Sequence, residues 1–319
     1  MAPHGAGERL CLRGWGDSTQ SAARIVQNRY GMASAIVVNS KSGTALDPAA
    51  LTEALGRAGL HADVIDLQSL ASPGDMDRTA GRYEVLVAAG GDGTVSTVAA
   101  AAVAAGKTFG VIPAGTLNHF ARDAGIPNDL DEALAVIAAG RTRMMDAGDI
   151  NGRIFVNNAS IGAYPRMVWE RNRARGLGLP RPIAMAFAVA RTWSGLRSLA
   201  VRIAVDGQVL VRRTPFIFVG NSEYEVTGTD VGSRPTMTDG KLSLYMAPRF
   251  GRSDALLLPL RVLRKTLESH EGFEAITAST ISIETARSRV GVAVDGEVGT
   301  FEPPLRFSVR PHALKVLVP

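Results

Sequence analysis

Short apolar runs that end in glycine- or asparagine-bearing loops recur through the first half of the chain. Ala35–Val38, the stretch ADVIDL at 62–67, Glu84–Ala88 and Phe109–Ile112 each read as a strand. They are too short for helices, rich in β-branched residues and bounded by turn formers. Between them lie stretches of helical character, about Pro48–Ala58 and the alanine-rich Val95–Ala105, which holds neither glycine nor proline. Strands alternating with helices predict a parallel sheet with helices on its faces.

From about Asp146 the pattern changes. RIFVNNAS, VRIAVDGQVL, TPFIFVGN, GKLSLYM, STISIET, VGVAVDGE, LRFSVR and LKVLV alternate, carry many β-branched residues and are bounded by Gly, Asp, Asn and Pro turns. This predicts antiparallel β structure, interrupted by helical stretches at roughly 164–198 and 252–269. No period of 20–50 residues marks a solenoid. Residues 1–32 carry few periodic signals and are expected to form a flexible extension. The expected fold is therefore α/β + β: an α/β domain over 33–147, then a β-rich, sandwich-like domain over 148–319. The extreme C-terminus is a candidate to pack back on the first domain.

Composition narrows the function. The 319 residues suit about two domains. A hydrophobic share of 46% against 20% charged gives a normal globular core. The single cysteine, Cys11, excludes a disulfide framework and a cysteine-based zinc site. The N-terminus lacks the apolar core of a signal peptide, and no apolar run approaches the ~18 residues of a membrane span. A cytoplasmic protein is expected. The net charge of +5 does not argue for nucleic acid, but its distribution matters. Eight arginines and one acid, Glu170, lie between Tyr164 and Arg202, interleaved with Met167, Trp169, Leu177, Leu179, Phe187 and Trp193. This reads either as a solvated helical face or as a surface drawn to anionic lipid, where each basic residue is worth about 1 kcal/mol.

Three loops follow three of the expected strands: NSKSGT (39–44), GGDGT (90–94) and PAGTLN (113–118). Strand C-terminal ends of an open parallel sheet share one edge, where ligands bind. Glycines allow close backbone approach, and the helix starting near Thr94 offers free N–H groups to phosphate. A carboxylate in such a loop would repel phosphate. Asp92 is explained if Mg²⁺ lies between them, held directly or through water. The bland alternative is an Asp-Gly turn in which Asp92 caps the next helix. GKT at 106–108 is no Walker A ending, because the required glycine is Ala101. No GxGxxG follows the first strand.

VAAGGDGTV, GVIPAGTLNHFARDAGIP, DAGDING, TDGKLSLYM and VAVDGEVG, in that order, resemble the motif series of the diacylglycerol kinase catalytic-domain superfamily. The likeness runs from about Ala33 to Pro319. It implies an NAD-kinase-like α/β domain and a β-rich lipid-binding domain that transfer the γ-phosphate of ATP to a lipid hydroxyl with Mg²⁺, most naturally a diacylglycerol-like lipid. It implies a nucleotide pocket of Gly90, Gly91, Asp92, Gly93 and Thr94, completed by Asn39, Ser40, Lys41, Ser42 and Gly43 and by Gly115, Thr116 and Asn118. Asp146 would join Asp92 in a water-mediated metal network, and Asp239 resembles a structural Mg²⁺ site, with a plain hairpin turn the alternative. Asp295 would be the general base or orient the acceptor hydroxyl, with Glu297 supporting metal or phosphates. A peripheral, anionic membrane and a homodimer are the implied partners, and nucleic acid is not. One departure stands out: many members carry Asp after GTxN, whereas this chain has His119, which cannot replace a carboxylate as a Mg²⁺ ligand. Rivals are an NAD-kinase-like enzyme with a soluble acceptor, for which no polar dinucleotide-recognition motif is found, and a non-catalytic member of the fold.

Overall fold

A computed structural model describes residues 33–40, 46–70, 72, 74–225, 232–246 and 274–319. The extension at 1–32, the helical stretch expected at 252–269, and Lys41, Ser42 and Gly43 lie outside the described residues.

The first half runs β1 (Ser34–Val38), α1 (Pro48–Arg57), β2 (Asp63–Asp66), α2 (Asp75–Arg82), β3 (Val85–Gly90), α3 (Asp92–Ala105), β4 (Thr108–Pro113), α4 (His119–Asp123) and α5 (Leu130–Ala139). Strands β2-β1-β3-β4 pair in parallel in that order. Local chemistry sets the helix ends. Asp47 accepts from the Ala49 N–H ahead of Pro48, and Asp129 accepts from the Glu132 N–H. Gly106, in the left-handed conformation, closes α3. Both faces of the sheet are covered. Val98, Ala102 and Phe120 of α3 and α4 pack with Leu86, Ala88 and Val111 on one side. Leu51, Leu55 and Leu134 of α1 and α5 pack with Ile36, Val87 and Ile112 on the other.

The remainder comprises β5 (Thr142–Ile150), β6 (Arg153–Phe155), β7 (Asn158–Gly162), α6 (Ala163–Gly176), α7 (Arg181–Ser194), β8 (Leu199–Val205), β9 (Gln208–Thr214), β10 (Phe216–Asn221), β11 (Leu242–Met246), β12 (Glu274–Ala278), β13 (Thr280–Thr285), β14 (Val290–Val294), β15 (Glu297–Phe301) and β16 (Leu305–Leu317). One sheet has the order β12-β11-β10-β7-β14-β15. It stacks its apolar face, with Ile161, Ile217, Val219, Leu244 and Val292, on Ile150, Phe155, Ile281 and Phe307 of β5, β6, β13 and β16.

Three expectations need correction. The helical stretch at 164–198 is two helices, α6 and α7, separated at 177–180 around Gly178 and Pro180. VRIAVDGQVL is a hairpin of β8 and β9 turning at Asp206–Gly207, both at positive φ. LRFSVR and LKVLV are one strand. Its first part pairs antiparallel with β13, its end pairs parallel with β4 at Thr108 and Phe109, and β5 runs along its other edge. A register shift between Arg310 and Leu314 accommodates Pro311, as expected for a proline inside a strand. The ribbon of β5 and β16 thus joins the parallel sheet to the sandwich.

Candidate functional site

Val38, Ala89 and Ile112 stand on one rung of the parallel sheet, so the three loops leave it side by side. The glycines are there for contact. A Cβ at Gly115 would lie 2.6 Å from Gly91 Cα and 2.6 Å from Asn118 Oδ1, so the second and third loops touch backbone to backbone. A Cβ at Gly90 would lie 2.7 Å from Thr94 Oγ1, whose residue is buried at 3% exposure. Asn118, in the left-handed conformation, folds its own loop: its Oδ1 accepts from the Gly115 N–H at 2.8 Å and its Nδ2 donates to Gly115 O and to Asn128 Oδ1. Thr116 is exposed at the tip. At the first loop Ser40 donates from its N–H and hydroxyl to Asp66, and Gln68 donates to Asn39 Oδ1.

Gly91 precedes α3, and its carbonyl accepts the first main-chain bond of the helix, from Val95. The N–H groups of Asp92, Gly93 and Thr94 are left for a ligand at the positive end of the helix. Asp92 Oδ1 accepts from the His119 N–H at 2.9 Å, so Asp92 caps α4 rather than its own helix. Its Oδ2 has no hydrogen-bond partner among the described residues and the side chain is half-buried. That free oxygen beside open N–H groups fits a hydrated Mg²⁺ and its phosphates.

The other acids divide by environment. Asp146 is fully buried; its Oδ2 accepts from the Gly240 N–H at 2.7 Å and its Oδ1 from the His312 N–H at 2.8 Å. It clamps the Asp239 loop and the β16 irregularity to β5. Asp239 closes a local turn by accepting from the Lys241 N–H. Glu297 is exposed and pairs with Arg153 at 2.8 Å. Among the described residues no three His, Cys, Asp or Glu side chains gather closely enough to enclose a metal ion.

Asp295 and Gly296, at φ 46° and 87°, form the two-residue turn between β14 and β15, so the hairpin reading of this Asp-Gly pair holds locally. The carboxylate does more. Oδ1 accepts from the N–H groups of Asn157 and Asn158, both at 2.9 Å, and Oδ2 accepts from the Val156 N–H at 2.9 Å and the Ser96 hydroxyl. Burial pushes the carboxyl above the usual carboxylate range, while these four bonds favour its charged form. Ser96 lies one turn after Asp92 on α3, about 6 Å along the axis. The acid from the β-rich half therefore meets the helix that carries the phosphate-facing loop.

The sequence reading missed a buried ion pair beside this site. Arg234, with a side chain of 0% exposure, donates from Nε to Asp123 Oδ2 at 2.7 Å; the Asp123 side chain is 1% exposed. Arg122 donates to the other oxygen of Asp123. No local pattern marks this pair, whose members are 111 residues apart.

Residues 33–150 match the family model of the diacylglycerol kinase catalytic domain, and residues 166–318 match that of the YegS C-terminal NAD kinase beta sandwich-like domain. The chain belongs to the diacylglycerol kinase catalytic-domain superfamily. Proteins named diacylglycerol kinase from Staphylococcus aureus strains JH9 and Newman are 31% identical to this superfamily member over 217 residues. That match covers 65% of this chain and 66% of theirs, just under two thirds of the relatives' length. A crystal structure of a diacylglycerol kinase from Bacillus anthracis str. Sterne superposes with TM-score 0.64 at 20% identity, over 90% of this chain and 96% of that one. A second structure from the same organism gives 0.68 at 22% identity over 90% and 96%. These two show the fold, and the expected superfamily and fold class are borne out.

Proposed function

We propose that this chain transfers the γ-phosphate of ATP to the hydroxyl of a diacylglycerol-like lipid at a membrane surface. The observation that carries this is the position of Asp295 against Ser96, one helical turn from Asp92, which puts an acceptor-side acid beside a phosphate-side loop. Phosphoryl transfer asks the protein mainly for positioning and charge neutralisation. Asp92, Gly93 and Thr94 offer main-chain N–H groups to the phosphates, and Asn39, Ser40, Gly91, Gly115, Thr116 and Asn118 border the same edge. Asp92, through the oxygen that has no partner among the described residues, would hold Mg²⁺, which would neutralise phosphate charge when bound. Asp146, with both oxygens engaged, serves this site by holding its walls, and we place the Asp239 loop in the same role.

Three main-chain N–H groups fix the Asp295 carboxylate, and among the described residues Ser96 is its one side-chain donor. The lipid hydroxyl takes the place of the Ser96 hydroxyl on Oδ2. Its proton passes to that oxygen as the lipid oxygen bonds to phosphorus. The bond from phosphorus to the ADP oxygen breaks, and ADP leaves with the electron pair. A carboxyl raised by burial suits proton acceptance better than an ordinary aspartate. Glu297 and Arg153 lie at the rim of the same hairpin.

The helices α6 and α7 support the membrane half of the proposal. Helix α7 buries Ala184 and Ala188 and exposes Ile183, Met185, Phe187 and Val189. Helix α6 adds Tyr164 and Trp169, the latter under the Arg173 guanidinium, and Leu177 follows at its end with 74% exposure. Large apolar side chains outside, small ones inside and arginines between them fit an anionic lipid surface. Among the described residues no helix is long and apolar enough to cross a membrane. Radiolabelled ATP with a panel of lipids in mixed micelles, resolved by chromatography, tests the reading. Labelled phospholipid, lost in Asp92→Asn, is expected; label transfer to NAD or to no acceptor would overturn it.

A further inference from the structure

A buried arginine is costly: removing a cation from water costs several kcal/mol unless every donor finds a partner. Arg234 finds them in three separate segments. Nε donates to Asp123 at the end of α4. One terminal nitrogen donates to Val156 O at 2.6 Å and, more weakly, to Asn221 O at 3.3 Å. The other donates to Asn157 Oδ1 at 3.0 Å. The guanidinium carbon lies 5.6 Å from the centre of the Tyr224 ring, whose hydroxyl donates to Asn157 O. Arg122 ties back to the loop carrying Arg234 by donating to Gly232 O at 2.8 Å.

The peptide group between Val156 and Asn157 connects this arginine to Asp295. Its carbonyl accepts from Arg234, and its N–H donates to Asp295 Oδ1 at 2.9 Å. A cation at the carbonyl end and an anion at the N–H end polarise one peptide in the same sense, so each bond strengthens the other. On its far side Arg234 holds Asp123 in α4, the helix whose first N–H group is capped by Asp92. The contacts form a closed ring: Asp92, α4, Asp123, Arg234, the 156–158 segment, Asp295, Ser96 and, through α3, Asp92 again.

We propose that Arg234, paired with Asp123, is a positioning residue for phosphoryl transfer, aiming Asp295 through the 156–157 peptide and fixing it relative to the phosphate-side loop. This rests on the reading of Asp295 given above. It makes Arg234 act on the rate of transfer and leaves ATP binding to the glycine loops.

The test compares Arg234→Met, Arg234→Lys, Asp295→Asn, the Arg234→Met/Asp295→Asn double variant, and the charge-free pair Asp123→Leu/Arg234→Met. The pair leaves no unpaired buried charge, so it keeps the test open where Arg234→Met does not fold. Turnover is measured with MgATP and mixed micelles of dioleoylglycerol and phosphatidylglycerol. Amide hydrogen exchange is followed at 156–158. Misplacement by ~1 Å can cost 10²-fold in rate, so Arg234→Met and the pair should lose about ten- to a hundredfold in kcat, with KM for ATP nearly unchanged. Arg234→Lys should recover part of the loss. Exchange at 156–158 should quicken in Arg234→Met, whichever lipid is the true acceptor. In the Asp295→Asn background the Arg234 change should add less than about twofold, because coupled residues are not additive. Unchanged exchange, a loss carried by KM for ATP, or losses that multiply would overturn the assignment. Full activity in Asp295→Asn would instead remove the Asp295 reading on which it rests.

Discussion

Replacing Asp295 by asparagine keeps the shape of the side chain and changes its hydrogen-bond inventory. The carboxylate accepts four bonds, three of them from main-chain N–H groups. An amide has one acceptor oxygen with two lone pairs. That oxygen can stay with Asn157 and Asn158, which leaves the NH₂ group facing the Val156 N–H; the Ser96 hydroxyl can turn to accept. A buried donor left unsatisfied costs about 1–3 kcal/mol. Relief of a buried charge offsets part of this, since burial already pushes the Asp295 carboxyl up. The net expectation is a loss of about 2 kcal/mol, a fall in Tm of a few degrees, and a folded protein at assay temperature. The kinetic loss should be far larger: a missing general base costs roughly 10²- to 10⁴-fold in kcat. Dependence on pH supplies an independent check. The charged carboxylate is the active form and its folded-state pKa is raised, so wild-type kcat should fall as pH drops through a value above the ordinary ~3.9 of aspartate. Asp295→Asn should lack that acidic limb. Turnover at the wild-type rate on every lipid tested, in a protein with the lowered Tm, would show that Asp295 only braces the 156–158 segment.

Asp92→Asn should nearly abolish turnover while leaving stability within about 1 kcal/mol of wild type, because the asparagine oxygen can still cap α4; activity surviving in excess EDTA would count against the metal reading. Gly115→Ala forces a methyl to within 2.6 Å of Gly91 Cα, so it should cost about 1–3 kcal/mol and raise KM for ATP severalfold; a normal KM would mean that the loop contact does not shape the nucleotide site. Replacing Arg171, Arg173 and Arg175 by Ser should weaken binding to anionic vesicles and leave ATP affinity alone, and wild-type vesicle binding should weaken as salt shortens the ~8 Å screening length. Salt-independent binding would refute an electrostatic role for α6.

Features set by local chemistry were readable in the sequence. Short β-branched runs ending at Asn39, Gly90 and Pro113 announced parallel strands with ligand-facing loops, because both signals lie within a few residues. Helix α5 had an equally local signal, Asp129 ahead of an apolar run, but passed unremarked. Helix α2 had a faint one, since DMDRTAGR offers little apolar pattern. Pro311 broke the alternation that would have joined LRFSVR to LKVLV. Only the neighbouring strands show that one strand tolerates it at a register shift. In the sequence Asp92 was a metal candidate on its own loop, and the family resemblance added Asp146 and, with a hairpin turn as the alternative, Asp239. Their partners separate them: Gly240 and His312 stand 94 and 166 residues from Asp146, and no local spacing reports which carboxylate oxygens remain free.

The same distinction bears on His119. A carboxylate at this position would stand at the start of α4, beside the Asp92 oxygen that caps the helix. In this chain the His119 main-chain N–H occupies that oxygen, and the imidazole adds no carboxylate oxygen for a hard cation. Under the proposed function, Mg²⁺ would then be met by the one Asp92 oxygen without a partner among the described residues, and the placing of that oxygen against Asp295 depends on how firmly α4 is held. Arg234, through Asp123, holds the far end of the five-residue helix. On that reading the buried Arg234–Asp123 pair, which spans both halves of the chain, sets how the Asp92 and Asp295 carboxylates stand to one another during transfer, and ATP binding stays with the glycine loops.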